Sequence, residues 1–196
     1  MWKLRILGVV SALASLLAAG PAGAVTIGFS PAVQSGGLGS SLSFDVVVFE
    51  LDGEIVSSYD LDLIFDVGVL QADEVLFTSA LGDPDFGEVL VDFDLGTPGL
   101  VDLSALSLLD DADLLALQAG DTVTLAILYF TVVGPGTSSI DFVFDALNVV
   151  TGANAAELDL TAVSGSAVPE PSTPSLLAAA GLFAAAVARK RRGRTR

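Results

Sequence analysis

Carboxylates are the side chains from which this sequence could build chemistry: it holds 24 Asp and Glu and neither His nor Cys. Of these acids, 23 lie between Val25 and Val168, a stretch with no Lys or Arg. A thiol nucleophile, a His-assisted serine triad, a thiolate zinc site and an imidazole ligand are all excluded. Two carboxylates suffice to hydrolyse a glycosidic bond, but no spacing here singles out a pair. No aromatic cleft accompanies them either, since the one tryptophan is Trp2. A hydrolase is therefore the weakest reading, and no catalytic residue is assigned. Calcium is the better match for so many oxygen ligands. The run Asp83-Pro84-Asp85-Phe86-Gly87-Glu88 sets three carboxylates in a tight turn, with Asp92 and Asp94 just beyond. Asp110, Asp111 and Asp113 form a second cluster. Neither has the EF-hand spacing, and solvated loop acids are the favoured reading at both, with calcium at Asp83, Asp85 and Glu88 the alternative. Asp60, Asp62 and Asp66 read as a wet strand face. A field of this sign repels nucleic acid and anionic lipid headgroups, which are poor partners for the acidic part, and no nucleic-acid partner is expected.

The elements that must carry these groups are predominantly strands. Leu42 to Glu50 is rich in Phe, Val and Leu and is expected to be buried on much of both faces. From Tyr59 to Val67 the alternation puts Tyr59, Leu61, Leu63, Phe65 and Val67 on one side. Asp60, Asp62, Ile64 and Asp66 take the other. Val89, Val91, Phe93 and Leu95 alternate with Leu90, Asp92 and Asp94; Leu100 to Leu109 continues the pattern. Thr122 to Val133 is apolar and β-branched, the candidate central strand. Ile140, Phe142 and Phe144 alternate with Asp141, Val143 and Asp145, and a last strand is expected near Glu157 to Val163. Gly and Pro clusters punctuate these runs, favouring an all-β sandwich. One short helix is expected at Asp110 to Gln118, its acids at the N-terminal end. Tyr59 and Tyr129 are the mature tyrosines; core packing is the default for both, carbohydrate contact the alternative.

Both ends differ from this body. Residues 1–24 have the three zones of a secretory signal peptide: Lys3 and Arg5, an apolar middle from Ile6 to Ala19, then Ala22-Gly23-Ala24. Cleavage is expected between Ala24 and Val25. The other six basic residues close the chain as Arg189, Lys190, Arg191, Arg192, Arg194 and Arg196. Ahead of them lie the rigid Val168-Pro169-Glu170-Pro171 and an apolar segment at residues 175–188. Prolines at 169, 171 and 174 hold the backbone extended. As a helix, Leu176 to Ala188 spans about 20 Å, short of a hydrocarbon core of about 30 Å. Such an anchor suits a transit stage. The basic end (residues 189–196), with Arg189 to Arg192 as the stop, is expected to stay cytoplasmic.

Two resemblances follow from these residues. Ser41 to Val48, Ser58 to Asp66 with Val69-Leu70, Gly120 to Ala126, and Leu128-Tyr129-Phe130 resemble the strands of cohesin-like domains. Those are jelly-roll sandwiches related to carbohydrate-binding modules. No residue matches a dockerin contact. The tail resembles the PEP-CTERM sorting signal in every part: motif, hydrophobic segment and basic end. That resemblance implies export by a Gram-negative bacterium that makes an exopolysaccharide, with an exosortase processing the tail after signal peptidase removes the leader. The domain expectation is therefore 1–24 leader, 25–165 cohesin-like sandwich and 166–196 sorting signal. The sandwich is expected to stand in the periplasm before processing and at the surface or in the matrix afterwards. It is expected to be a non-enzymatic module binding exopolysaccharide or another surface protein; the alternative is a carbohydrate-binding module.

Overall fold

The computed structural model describes residues 24–143 and 148–170. Its strands are β1 (Val25–Ser30), β2 (Val33–Gly36), β3 (Ser41–Phe49), β4 (Ser58–Phe65), β5 (Leu70–Phe77) and β6 (Val89–Asp94). They continue as β7 (Leu100–Ser107), β8 (Thr122–Val132), β9 (Ser138–Val143), β10 (Val149–Thr151), β11 (Leu160–Ala162) and β12 (Gly165–Pro169). One helix, α1 (Asp111–Leu117), interrupts them, and short 3-10 turns occur at Ser79–Leu81, Pro84–Phe86 and Ala153–Ala155.

The strands form two sheets. One has the order β11-β1-β3-β8-β5; the other runs β2-β12-β9-β4-β7-β6, with β10 also paired to β4. Pairing is antiparallel except for β1 with β11 and β12 with β2. β8 lies between β3 and β5, the interior position its β-branched run calls for. Alternation in β4 buries Tyr59, Leu61 and Leu63 while Asp60 and Ile64 face out. β3 buries Leu42, Phe44, Val46, Val47 and Val48, as its double-faced apolar run requires.

A string of phenylalanines ties the sheets together. Phe142 of β9 stacks on Phe29 of β1, with centroids 4.8 Å apart. Phe29 meets Phe44 edge-on, Phe44 meets Phe130, and Phe130 meets Phe65 of β4 at 5.2 Å. Edge-to-face contacts of this kind add about 0.5–1.5 kcal/mol each beyond area burial. In a domain without disulfides or formal ion pairs across its middle, this aromatic and aliphatic packing is the main cohesive term.

α1 begins where expected. Asp110 caps it, accepting from the Asp113 N–H at 2.9 Å, and Leu114 is the side chain it buries. Leu115 and Leu117 stay exposed. The residue after the helix, Gln118, turns its amide inward onto Val56 and Ala80.

Some expectations need correction. Val67 is 52% exposed because β4 ends at Phe65 and the chain turns through Asp66, whose Oδ1 accepts from Gly68 N–H. In β6 only Val89 is buried. β6 is the edge strand of its sheet, and Val91 and Phe93 overhang the core, the Phe93 ring lying 6.3 Å from that of Phe77. The strand expected at Glu157 to Val163 shrinks to β11, since Glu157 makes only an isolated bridge to Thr151. Phe144 and Asp145 lie outside the described residues, as do the leader through Gly23 and the tail from Pro171.

Candidate functional site

Two places combine exposure with organised chemistry. The first is the outer face of the β6-β7-β4 layer. Asp94 of β6, Asp102 of β7 and Asp62 of β4 are direct cross-strand partners in one row. The next row reads Asp92, Ser104, Asp60. Leu90 and Leu106 pair beside it, and Ile64 flanks the aspartate row at the other end. All three are about half exposed or more, at 58%, 49% and 46%. Like charges set directly opposite one another oppose folding, and the strain registers at the middle of the grid. Partial burial, then the charges of Asp62, Asp60, Asp94 and Asp92, raise the Asp102 carboxyl above its ordinary value. Asn148, itself buried, steadies the row. Its amide oxygen accepts from the Asp62 N–H, and its nitrogen donates to Asp62 Oδ2 at 3.3 Å.

The second place is β12. Residue pairs Ser166 with Val33, Ala167 with Gln34, Val168 with Ser35 and Pro169 with Gly36 run in parallel register. Hydrogen bonds flank them: Ser166 N–H to Ala32 O and Glu170 N–H to Gly36 O, both 2.9 Å. On its other side β12 pairs with β9 at Gly165, Ser166 and Ala167. Val168, Pro169 and Glu170 of the expected sorting motif thus leave directly from the sheet, and the strand crosses the expected 165/166 boundary. At the other end, Ala24 is exposed whereas Val25 is buried in β1, its N–H donated to Asp159 O at 2.9 Å. Ala22, Pro171, Arg189, Lys190, Arg191 and Arg192 lie outside the described residues.

The turn proposed for calcium is knit by its own backbone. Asp83 Oδ1 accepts from Asp85 N–H, and Glu88 Oε2 accepts from Asp83 N–H, both at 2.9 Å. Among the described residues, no three acidic side chains are grouped to hold a metal ion. Also among them, every buried side-chain polar atom has a hydrogen-bond partner. Tyr59 is buried, donates to Leu125 O at 3.5 Å, and has its hydroxyl pushed well above its usual value by burial. It offers no platform for a sugar; Tyr129, half-buried on the other sheet, is the remaining tyrosine.

The fold is that of the cohesins. The seventh ScaB type I cohesin from Pseudobacteroides cellulosolvens superposes with a TM-score of 0.60 at 13% identity, covering 76% of this chain and 94% of that one. A chain of a type I cohesin–dockerin complex from Clostridium thermocellum gives 0.58 at 14% identity, covering 75% and 99%. The non-cellulosomal cohesin from the archaeon Archaeoglobus fulgidus gives 0.55 at 15%, covering 76% and 92%. Residues 167–192 match the PEP-CTERM protein-sorting motif, so the chain carries that signal behind its cohesin-fold sandwich. No curated protein sequence matches the chain.

Proposed function

We propose that this chain is a non-enzymatic interaction module, exported and then sorted by an exosortase acting on its tail, whose acidic sheet face binds a cationic protein partner. The observation that carries the reading is one body joining a sorting motif at 167–192 to an uncovered grid of aspartates rimmed by leucines. Charges around an apolar patch give a partner orientation and speed of encounter, and the leucines give it area to bury. The absence of any Lys or Arg from Val25 to Val168 makes a second copy a poor partner for this face and a Lys- or Arg-bearing surface a good one. That the partner is a protein also agrees with the cohesin–dockerin pairing named for one of the similar structures. The host is a Gram-negative bacterium, and the final location is the cell surface or matrix.

The test is fractionation of cells carrying the full chain with an epitope inserted at the exposed Gly53 turn between β3 and β4. With the exosortase present, a shortened product leaves the inner membrane; without it, full-length chain accumulates there. Equal retention of full-length chain in both strains would reject the sorting. For the face, a photo-reactive residue replacing Leu106 should trap a protein that one replacing Leu76, on the other sheet, does not. Equal trapping would remove the assignment.

A further inference from the structure

We infer that the sandwich gates its own sorting: the front of the motif is stored as strand β12, and the processing enzyme reaches its backbone only after Val168 to Glu170 peel away from β2. The inference rests on the reading above that the tail is processed.

The register fixes which way each backbone group points. Ser166 and Glu170 donate their N–H groups to β2, so the even-numbered residues between them face the same strand. The odd-numbered residues face β9, where pairing ends at Ala167 with Ser138. Pro169 is the next in that series. Its missing N–H therefore falls where β9 no longer runs, the place in a sheet that tolerates proline. The Val-Pro-Glu order thus suits a strand end as well as a sorting motif. A peptidase cleft that takes an extended segment pairs with the same N–H and C=O groups. Val168 and Glu170 cannot give theirs to β2 and to an enzyme together.

The seam is firm at its base and free at its tip. Gly165 lies so close to the Phe29 ring that an added Cβ would sit 3.0 Å from it, and Ala167 is fully buried. Val168 is 39% exposed and Glu170 is exposed. Release can therefore stop at Ala167 without opening the core. On the partner side, Gly36 is pressed against the start of β3 and the residue before it: a Cβ there would stand 2.3 Å from Ser40 Oγ and 3.0 Å from Leu42 Cδ2. Gln34 also donates from Nε2 to Ser43 O. β2 is thus held in place as the strand from which the motif must leave.

Pulse-chase in an exosortase-bearing host decides the matter, using the full chain with the loop epitope. One variant carries, after Glu170, a flexible Gly-Ser linker and a repeat of the four motif residues, so that β12 stays paired while the repeat is free. It should be processed about thirtyfold faster than the native chain, the factor that the two net hydrogen bonds of Val168 and Glu170 are worth at about 1 kcal/mol each. Gly36→Val, which pushes β2 off its neighbours, should accelerate processing of the native tail. As a control, residues 170–196 and the same linker and repeat are carried by an unrelated exported protein. If the control is cut while native and linker chains are cut at equal rates, the gate is overturned and the sorting stands. If none is cut, the sorting reading fails and takes the gate with it. Independently of any enzyme, hydrogen exchange on the full chain in detergent should find the Glu170 amide protected; exchange at the free-chain rate would also overturn the gate.

Discussion

Gln118 holds the backbone of Val56 at two points, its Oε1 accepting from Val56 N–H at 2.8 Å and its Nε2 donating to Val56 O at 2.7 Å. The second amide hydrogen goes to Ala80 O at 3.0 Å. One buried side chain thus replaces a missing strand partner for the segment before β4. Gln118→Ala should cost about 2–4 kcal/mol, since it leaves buried backbone groups unpaired. Gln118→Glu should cost more, because a carboxylate cannot donate to the two carbonyls. Urea unfolding curves measure both.

The aspartate grid sets a pH dependence. Asp102 is raised by burial and by Asp62, Asp60, Asp94 and Asp92, so the folded sheet keeps its proton at a pH where the unfolded chain has lost it. The folded state binds more protons in that window, and stability contributed by this group falls as pH climbs through it. Asp102→Asn should flatten that slope and raise Tm near neutral pH by about 1–3 °C. Added salt should stabilise the native chain and narrow its gap to the variant. Thermal scans across pH and salt check the sign.

Two glycines should behave in opposite ways. A Cβ on Gly134 would lie 1.9 Å from Gly68 O, a backbone atom that cannot swing aside. Gly134→Ala should therefore cost about 3 kcal/mol. A Cβ on Gly37 meets nothing within 4 Å. Gly37→Ala should be neutral or gain about 0.4–1 kcal/mol through the unfolded chain. Paired denaturation midpoints decide.

In the acidic turn, Asp83 works as an oxygen acceptor for Asp85 N–H. Asp83→Ala should lose about 1 kcal/mol, whereas Asp83→Asn keeps the acceptor and should lose little. Equal losses in calcium-containing buffer would mean that the charge matters there, as it would for a bound cation.

Much of the sandwich was legible because its strands obey simple patterning. β4 buries each alternate apolar residue from Tyr59 to Leu63, and β8 announces itself by length and β-branching. Asp110, Asp111 and Asp113 marked the N-terminal end of α1, though not which of them caps it. What stayed hidden was set by tertiary pairing. β2, reading Val-Gln-Ser-Gly, has no alternation to find; it is a strand because β12 lies beside it. β12 was obscured for the opposite reason, its Val168-Pro169 being readable as motif and its proline arguing against a ladder. At the face, Asp60 and Asp62 were visible as an outward set. Their alignment with Asp94 and Asp102 depends on the cross-strand register, which no single strand encodes.

The parallel seam between β12 and β2 has a mechanical consequence. β12, the last strand before the tail, is flanked by β9 and, beyond it, by the strands of the aspartate face, all in one sheet. Tension between a tethered tail and a partner gripping that face would travel through a single sheet, loading the bonds beside β12 in shear and all at once. The same strand that frays readily when lifted from its tip is therefore built to hold when drawn along its length.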